Sequence, residues 1–214
     1  MNASETSTEE AGRRAHPAVA EYLDALPDEW ASHPECQASA ALINALRAVG
    51  AFADLATLPP ALASLVARPL RDDEWIPEVE YVALMLAILD DSFGGDRRAF
   101  LDWASEVNAR RMARTIDPAI LTTSIDVLLE NTAALWNRFH RGTNLRVVGA
   151  RRDGSMTRFD YPLHLYPAVL IDYVASACAT SLTRVDAALL EMETSTTTEN
   201  DRSVTTFTAR WRVA

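Results

Sequence analysis

The chain has 214 residues, 49% of them apolar and 23% charged, with a formal net charge of −10 at pH 7. That length and apolar content support one domain with an extension, or two very small domains, without disulfide or metal staples. The acidic balance argues against sequence-independent DNA or RNA binding, which depends on neutralising phosphates, and no apolar run approaches the roughly 20 residues needed to span a bilayer.

The first residues, with Glu5, Glu9 and Glu10, lack the basic start and apolar stretch of a signal peptide. Two cysteines, Cys36 and Cys178, make no disulfide framework and match no zinc spacing. Localisation in the cytoplasm is the expectation. All twenty basic residues are arginine, so arginine abundance alone carries no functional meaning.

Residues 1–35 read as an acidic, partly disordered extension. Within it Pro17 opens a short helix bearing Val19, Tyr22, Leu23 and Leu26, and Pro27 and Pro34 bracket an irregular stretch with Trp30 and His33. The main domain, 36–214, begins near Cys36. Ala41, Leu42, Ala45, Leu46 and Val49 recur with helical spacing, and Gly50 stands where a left-handed cap is wanted. Pro60 opens a helix to Ala67, and a further helix from Pro77 to about Asp91 is apolar on nearly every side, which predicts central burial. Gly94-Gly95 breaks it, and Asp96 caps a helix carrying Phe100, Leu101, Trp103, Ala104 and Val107.

Asp117-Pro118 and Gly142 bracket a long helix in which Leu121, Ile125, Leu128, Leu129, Trp136 and Phe139 share a face. Its expected last turn holds Arg138, His140 and Arg141, suited to the negative end of the helix dipole. Strands at 145–150 and 156–160 flank a turn at Arg151-Arg152-Asp153-Gly154. Pro162 and Pro167 then lead into a helix, and strands at 187–194 and 204–213 follow, joined by a polar loop. In the last strand Thr205, Phe207, Ala209, Trp211 and Val213 share one face, with Arg210 and Arg212 on the other. The expected fold is α+β: an N-terminal helical layer packed on a C-terminal, mostly antiparallel sheet with a crossing helix, in the order β-β-α-β-β.

Several features carry a resemblance. They are Trp75-Ile76-Pro77 before a buried helix, Gly94-Gly95, Phe139-His140-Arg141-Gly142, the hairpin, the entry at Pro162 and Pro167, and the final Ala209-Arg210-Trp211 strand. In order and spacing the chain resembles a myxobacterial paralogous domain family of unknown function. That family is distantly akin to vinyl-reductase-like, haem-NO-binding and TRAPP-type ligand-binding domains. The resemblance implies a small-molecule- or partner-binding module, often a homodimer. It does not transfer haem, because the haem-binding relatives use a Tyr-x-Ser-x-Arg motif and a proximal histidine, and this chain has no Tyr-x-Ser-x-Arg.

The residues themselves assemble no catalytic motif. His16, His33, His140 and His164 are dispersed, no Gly-x-Ser-x-Gly occurs, and Gly94-Gly95 lacks the lysine of a phosphate loop. No catalytic residue, metal ligand or cofactor is therefore assigned. Two places invite binding. Tyr161, His164 and Tyr166 lie at a strand-to-helix junction, which either lines a pocket or packs its tyrosines and exposes its histidine. Between residues 138 and 158 six arginines, at 138, 141, 146, 151, 152 and 158, face one acid, Asp153. Arg138, Arg141, Arg151 and Arg152 either guard a hairpin edge or bind an anionic small molecule or an acidic protein segment. The acidic residues between Glu5 and Glu35 are themselves a candidate for that segment. The expected function is a non-enzymatic small-molecule- or partner-binding signalling or adaptor domain. Alternatives are an enzyme with a dispersed site and a purely structural dimerisation module.

Overall fold

The computed structural model describes residues 12, 14–52, 58–115, 124–183, 185 and 187–213. The chain divides into two compact units, residues 1–100 and 101–214. Among the described residues the architecture is α+β with antiparallel strand pairing.

In the first unit, helix α1 (Pro17–Ala25) starts on its proline and buries Val19, Tyr22 and Leu23. A 3₁₀ turn covers Glu29–Ala31. This is the described part of the segment read as an extension; its first eleven residues lie outside the described set. Strand β1 (Gln37–Ser39) leads into α2 (Ala40–Ala48), whose N-cap Ser39 accepts a hydrogen bond from the Ala41 N–H. Gly50 follows with φ +74°, the left-handed geometry expected of it. Helix α3 spans Pro60–Ala67 and strand β2 Trp75–Pro77. Strands β1 and β2 pair antiparallel, with Ala38 opposite Ile76. At three residues each they are too short for an alternation to register, and the sequence reading gave neither as a strand.

Helix α4 (Glu78–Phe93) is the core of this unit. Val79, Val82, Ala83, Leu84, Met85, Leu86, Ile88 and Leu89 are all buried, as its all-round apolarity predicts. Gly94 ends it in the left-handed region, with φ +55°. The Ala18 N–H donates to Asp90 Oδ2 at 2.9 Å, tying the first turn of α1 to α4.

Helix α5 (Arg97–Thr115) begins on Asp96, whose Oδ1 accepts from the N–H groups of Arg98 and Ala99. The second unit contains the rest of α5, α6 (Ile125–Asn137), β3 (His140–Arg141), β4 (Asn144–Arg151), β5 (Gly154–Pro162), α7 (Ala168–Thr183), β6 (Ala187–Glu199) and β7 (Arg202–Val213). The expected start of the long helix at Asp117-Pro118 falls outside the described residues. Its described part is capped by Ser124, which accepts from the Val127 N–H at 3.3 Å. The helix ends at Asn137, earlier than Gly142 suggested. Arg138 is its C-cap, and His140 and Arg141 lie beyond the last turn in β3.

Strands β4 to β7 form one antiparallel sheet in the order β4-β5-β7-β6, with α7 connecting the two hairpins. The β-β-α-β-β order is the one expected. Ser155, Thr157, Phe159 and Tyr161 of β5 share the buried face with Thr205, Phe207, Ala209 and Trp211 of β7. Leu128 of α6 and Leu182 of α7 pack with Ala187, Ala209 and Trp211 on that face. Of the two aromatic residues on the apolar face of the expected helix, Phe139 is buried and Trp136 half-buried. Its Nε1–H donates to Thr143 Oγ1 at 3.0 Å, so one edge of the indole stays in a polar setting.

The expected loop between residues 194 and 204 is instead strand. β6 and β7 run to Glu199 and from Arg202, joined by Asn200 and Asp201 at φ +48° and +58°. Two left-handed residues make the tight turn whose twist matches a hairpin, and the threonines at 194 and 196–198 are β-branched and favour extended backbone.

Candidate functional site

Tyr161 and Tyr166 come together at the strand-to-helix junction and His164 does not join them. The two tyrosine rings are 5.3 Å apart, edge to face, and Phe159 packs on both, at 4.7 and 5.1 Å. Both tyrosines are buried. The Tyr161 hydroxyl shares a hydrogen bond with Thr205 Oγ1 at 2.9 Å, and Thr205 Oγ1 shares another with Thr196 Oγ1 at 2.8 Å. Burial pushes the Tyr161 phenol above its ordinary range, with those threonine contacts opposing. His164 occupies a left-handed turn position, φ +65°, and is exposed.

The arginines are exposed at 138, 141, 151 and 152 but fall into two groups. Arg138 and Arg141 precede β4, whereas Arg151 ends it and Arg152 stands in the following turn. At about 3.3 Å per residue an eight-residue strand separates its ends by roughly 23 Å. Arg146 lies opposite Arg158 in the β4–β5 register. Arg158 is held by acids: its Nε and Nη2 donate to Asp160, the shortest contact 2.8 Å, and Nη2 also reaches Glu199 at 2.9 Å. Those acids lie just past the arginine-rich segment and across the sheet, where a window along the sequence does not see them.

A different set of polar residues meets inside the second unit, between α5 and α7. Ser105 Oγ donates to the Leu101 carbonyl at 2.8 Å and hydrogen-bonds Ser176 Oγ. One turn on, the Tyr173 hydroxyl donates to Asn108 Oδ1 at 2.9 Å. Arg111 Nη2 is 3.4 Å from the same oxygen, and its guanidinium lies over the Phe139 ring, 4.6 Å from the centroid. Ser181 Oγ donates to the Ala177 carbonyl and contacts Met112 Sδ at 3.6 Å. Asn108 is 1% exposed, and its Nδ2 has no hydrogen-bond partner. The sequence signal for this seam was a polar i, i+3 pair, Ser105 and Asn108, beside the apolar Ala104 and Val107. The partners on α7 are more than sixty residues away and carry no local signal.

Cys178, also on α7, has its thiol pushed up to about 12 by burial, which leaves it a poor nucleophile at neutral pH. Among the described residues no group of three or more His, Cys, Asp or Glu is placed to hold a metal ion.

The Tyr-x-Ser-x-Arg pattern of the haem-binding relatives is absent, and the four histidines are scattered. His16 is fully buried in the first unit, with Nδ1 3.7 Å from Asp91 Oδ1. His33 and His164 occupy left-handed turn positions. The His140 ring stacks on the Trp136 indole at 3.9 Å and 13°. Tyr161, Tyr166 and Tyr173 are followed at +2 and +4 by Leu163 and Leu165, Ala168 and Leu170, and Ala175 and Ala177, with no serine or arginine in place. Asn108 Nδ2 in the α5–α7 seam is an amide nitrogen, whose lone pair is delocalised and unavailable to iron.

No family model matches the chain, and no curated protein is similar to it in sequence. Solved structures are similar in fold. An oxygen-binding H-NOX domain related to soluble guanylate cyclases superposes with a TM-score of 0.57 at 11% identity, over 80% of this chain and 92% of its own. A structure probing heme distortion in the H-NOX family gives 0.55 at 12% identity, over 80% and 92%. One addressing H-NOX activation gives 0.55 at 10%, over 80% and 93%. At such identities the likeness shows the fold alone.

Proposed function

We propose that the chain is a non-enzymatic signalling domain that uses an H-NOX-like fold to bind a small molecule other than histidine-ligated haem. The observation that supports this reading is the pairing of that fold with the absence of the Tyr-x-Ser-x-Arg pattern. The enzyme alternative gains nothing from Ser105 and Ser176, which hydrogen-bond each other while Ser105 donates to the Leu101 carbonyl. The reading places the protein in the cytoplasm, as a homodimer; among the described residues no helix is long and apolar enough to cross a membrane.

The test is spectroscopic and chemical. Protein purified without added ligand is expected to show no Soret band and to take up no stoichiometric haem on titration. Denaturation should release a small molecule detectable by mass spectrometry. A Soret band at one haem per chain, or an empty supernatant, would overturn the reading.

A second reading is an adaptor that binds an acidic protein segment or anionic molecule through Arg138, Arg141, Arg151 and Arg152. The exposure of all four favours it. Tyr161 and Tyr166 are buried and take no part in it, and His164 is exposed on its own turn.

A further inference from the structure

We infer that Asn108 anchors a ligand site in the seam between α5 and α7, which takes a small molecule through a carbonyl or carboxylate oxygen. The inference rests on the ligand-binding reading above and names its residue and its chemistry.

The orientation of the amide comes first. Asn108 Oδ1 receives the Tyr173 hydroxyl at 2.9 Å and lies 3.4 Å from Arg111 Nη2. Turning the amide over would set its NH₂ against a guanidinium N–H, so the network fixes oxygen toward Tyr173 and Arg111. The NH₂ group then points its hydrogens away from both. It meets no acceptor, in a residue 1% exposed.

An unsatisfied buried donor is costly, about 1–3 kcal/mol. Native interiors keep such groups rarely, and usually for water, an ion or a ligand. A buried donor excludes a cation as occupant and selects an oxygen acceptor. Tyr173 and Ser176 on α7 are half-buried, so solvent touches the α7 side of the seam, while Asn108 is almost fully covered. The Arg111 guanidinium over Phe139 adds positive potential, which favours a carboxylate over a neutral carbonyl.

The experiment uses the full chain labelled with ¹³C and ¹⁵N. The Asn108 side-chain NH₂ signals are identified through their connection to their own β-carbon and by their loss in Asn108→Leu. Benzoate and benzamide are titrated separately, as probes of the charged and the neutral acceptor. Saturable movement of the Asn108 NH₂ signals with at least one probe is expected, larger with benzoate. Asn108→Leu should weaken binding of that probe about tenfold or more, as the loss of one well-made hydrogen bond requires. Tyr173→Phe, which releases the amide from its orientation, should weaken it too.

Should Asn108→Leu fail to fold, the wild-type signals alone decide. Signals that stay still with both probes, or move without saturating, overturn the inference and leave ordered water as the occupant. Binding that survives Asn108→Leu unchanged overturns it as well. A co-purified molecule whose removal leaves the Asn108 signals unmoved sinks this site while sparing the ligand-binding reading. Saturable benzoate binding by a chain that releases nothing on denaturation does the reverse.

Discussion

Gly154 and Ala209 meet across strands β5 and β7 so closely that a Cβ on the glycine would stand 2.8 Å from the Ala209 carbonyl oxygen. Gly154 opens β5 directly after the Arg152-Asp153 turn, and the Asp153 carbonyl accepts from the Trp211 N–H at 3.0 Å. The end of β7 is thereby pinned to the hairpin turn, and the backbone has little room to retreat.

Gly154→Ala is accordingly expected to destabilise the fold by about 1–3 kcal/mol, as overpacking against backbone does. Gly149→Ala is the control, because its new Cβ would meet only Met156 Cβ at an ordinary 3.8 Å. That variant should stay within about 0.5 kcal/mol of wild type. Denaturant melts of the two proteins check the pair, and equal losses would remove the steric explanation.

Trp211 is 2% exposed and packs with Leu128, Leu182, Ala187 and Ala209. Trp211→Ala should cost ~3–5 kcal/mol in urea unfolding, the range for truncating a large buried aromatic. Its Nε1–H has no acceptor, so Trp211→Phe loses packing but no hydrogen bond and should cost less than half as much. A loss below about 1 kcal/mol for the alanine variant would mean that β7 presents the opposite face.

Asp90 is held above its ordinary carboxyl value of 3.8, chiefly by burial. Hydrogen bonds from the Ala18 and Val19 N–H groups and the nearby His16 oppose the shift, and Asp91 adds to it. A carboxyl raised in the folded state binds its proton more tightly there than in the unfolded chain. Stability from this group is therefore full below 3.8 and declines as pH rises through the folded value. Asp90→Asn keeps an oxygen for Ala18 and removes the charge. It should be more stable than wild type at neutral pH, with the advantage vanishing in acid. Unfolding free energies across that pH range test the sign, and an advantage that grows in acid would refute it.

The two arginine groups lie at opposite ends of β4. Replacing Arg151 and Arg152 with glutamate is expected to change stability by only ~0–1 kcal/mol, as for exposed charges. If they hold an acidic partner, the substitution should weaken its capture, and Arg138→Glu with Arg141→Glu should weaken it separately and additively. Alanine replacements decide the guard reading: aggregation with intact capture would make these arginines edge protection.

Local rules made part of this protein legible from its sequence. All-round apolarity marked α4 as core, period-two alternation gave the buried face of β7, Gly50 stood where a left-handed cap was needed, and Gly94-Gly95 marked the end of α4. Each of these signals is read within a few residues, where helix and strand geometry bring side chains together. The remainder was decided by residues that meet only after folding. Strand β1 finds β2 with Ala38 opposite Ile76, far along the chain, Arg158 is neutralised by Glu199 from across the sheet, and Tyr173 reaches Asn108 over a separation of 65. The distance between the arginine groups was set by the length of the strand between them. An unsatisfied amide is likewise a property of everything packed around it, so no window along the chain could have shown that Asn108 has hydrogens to give.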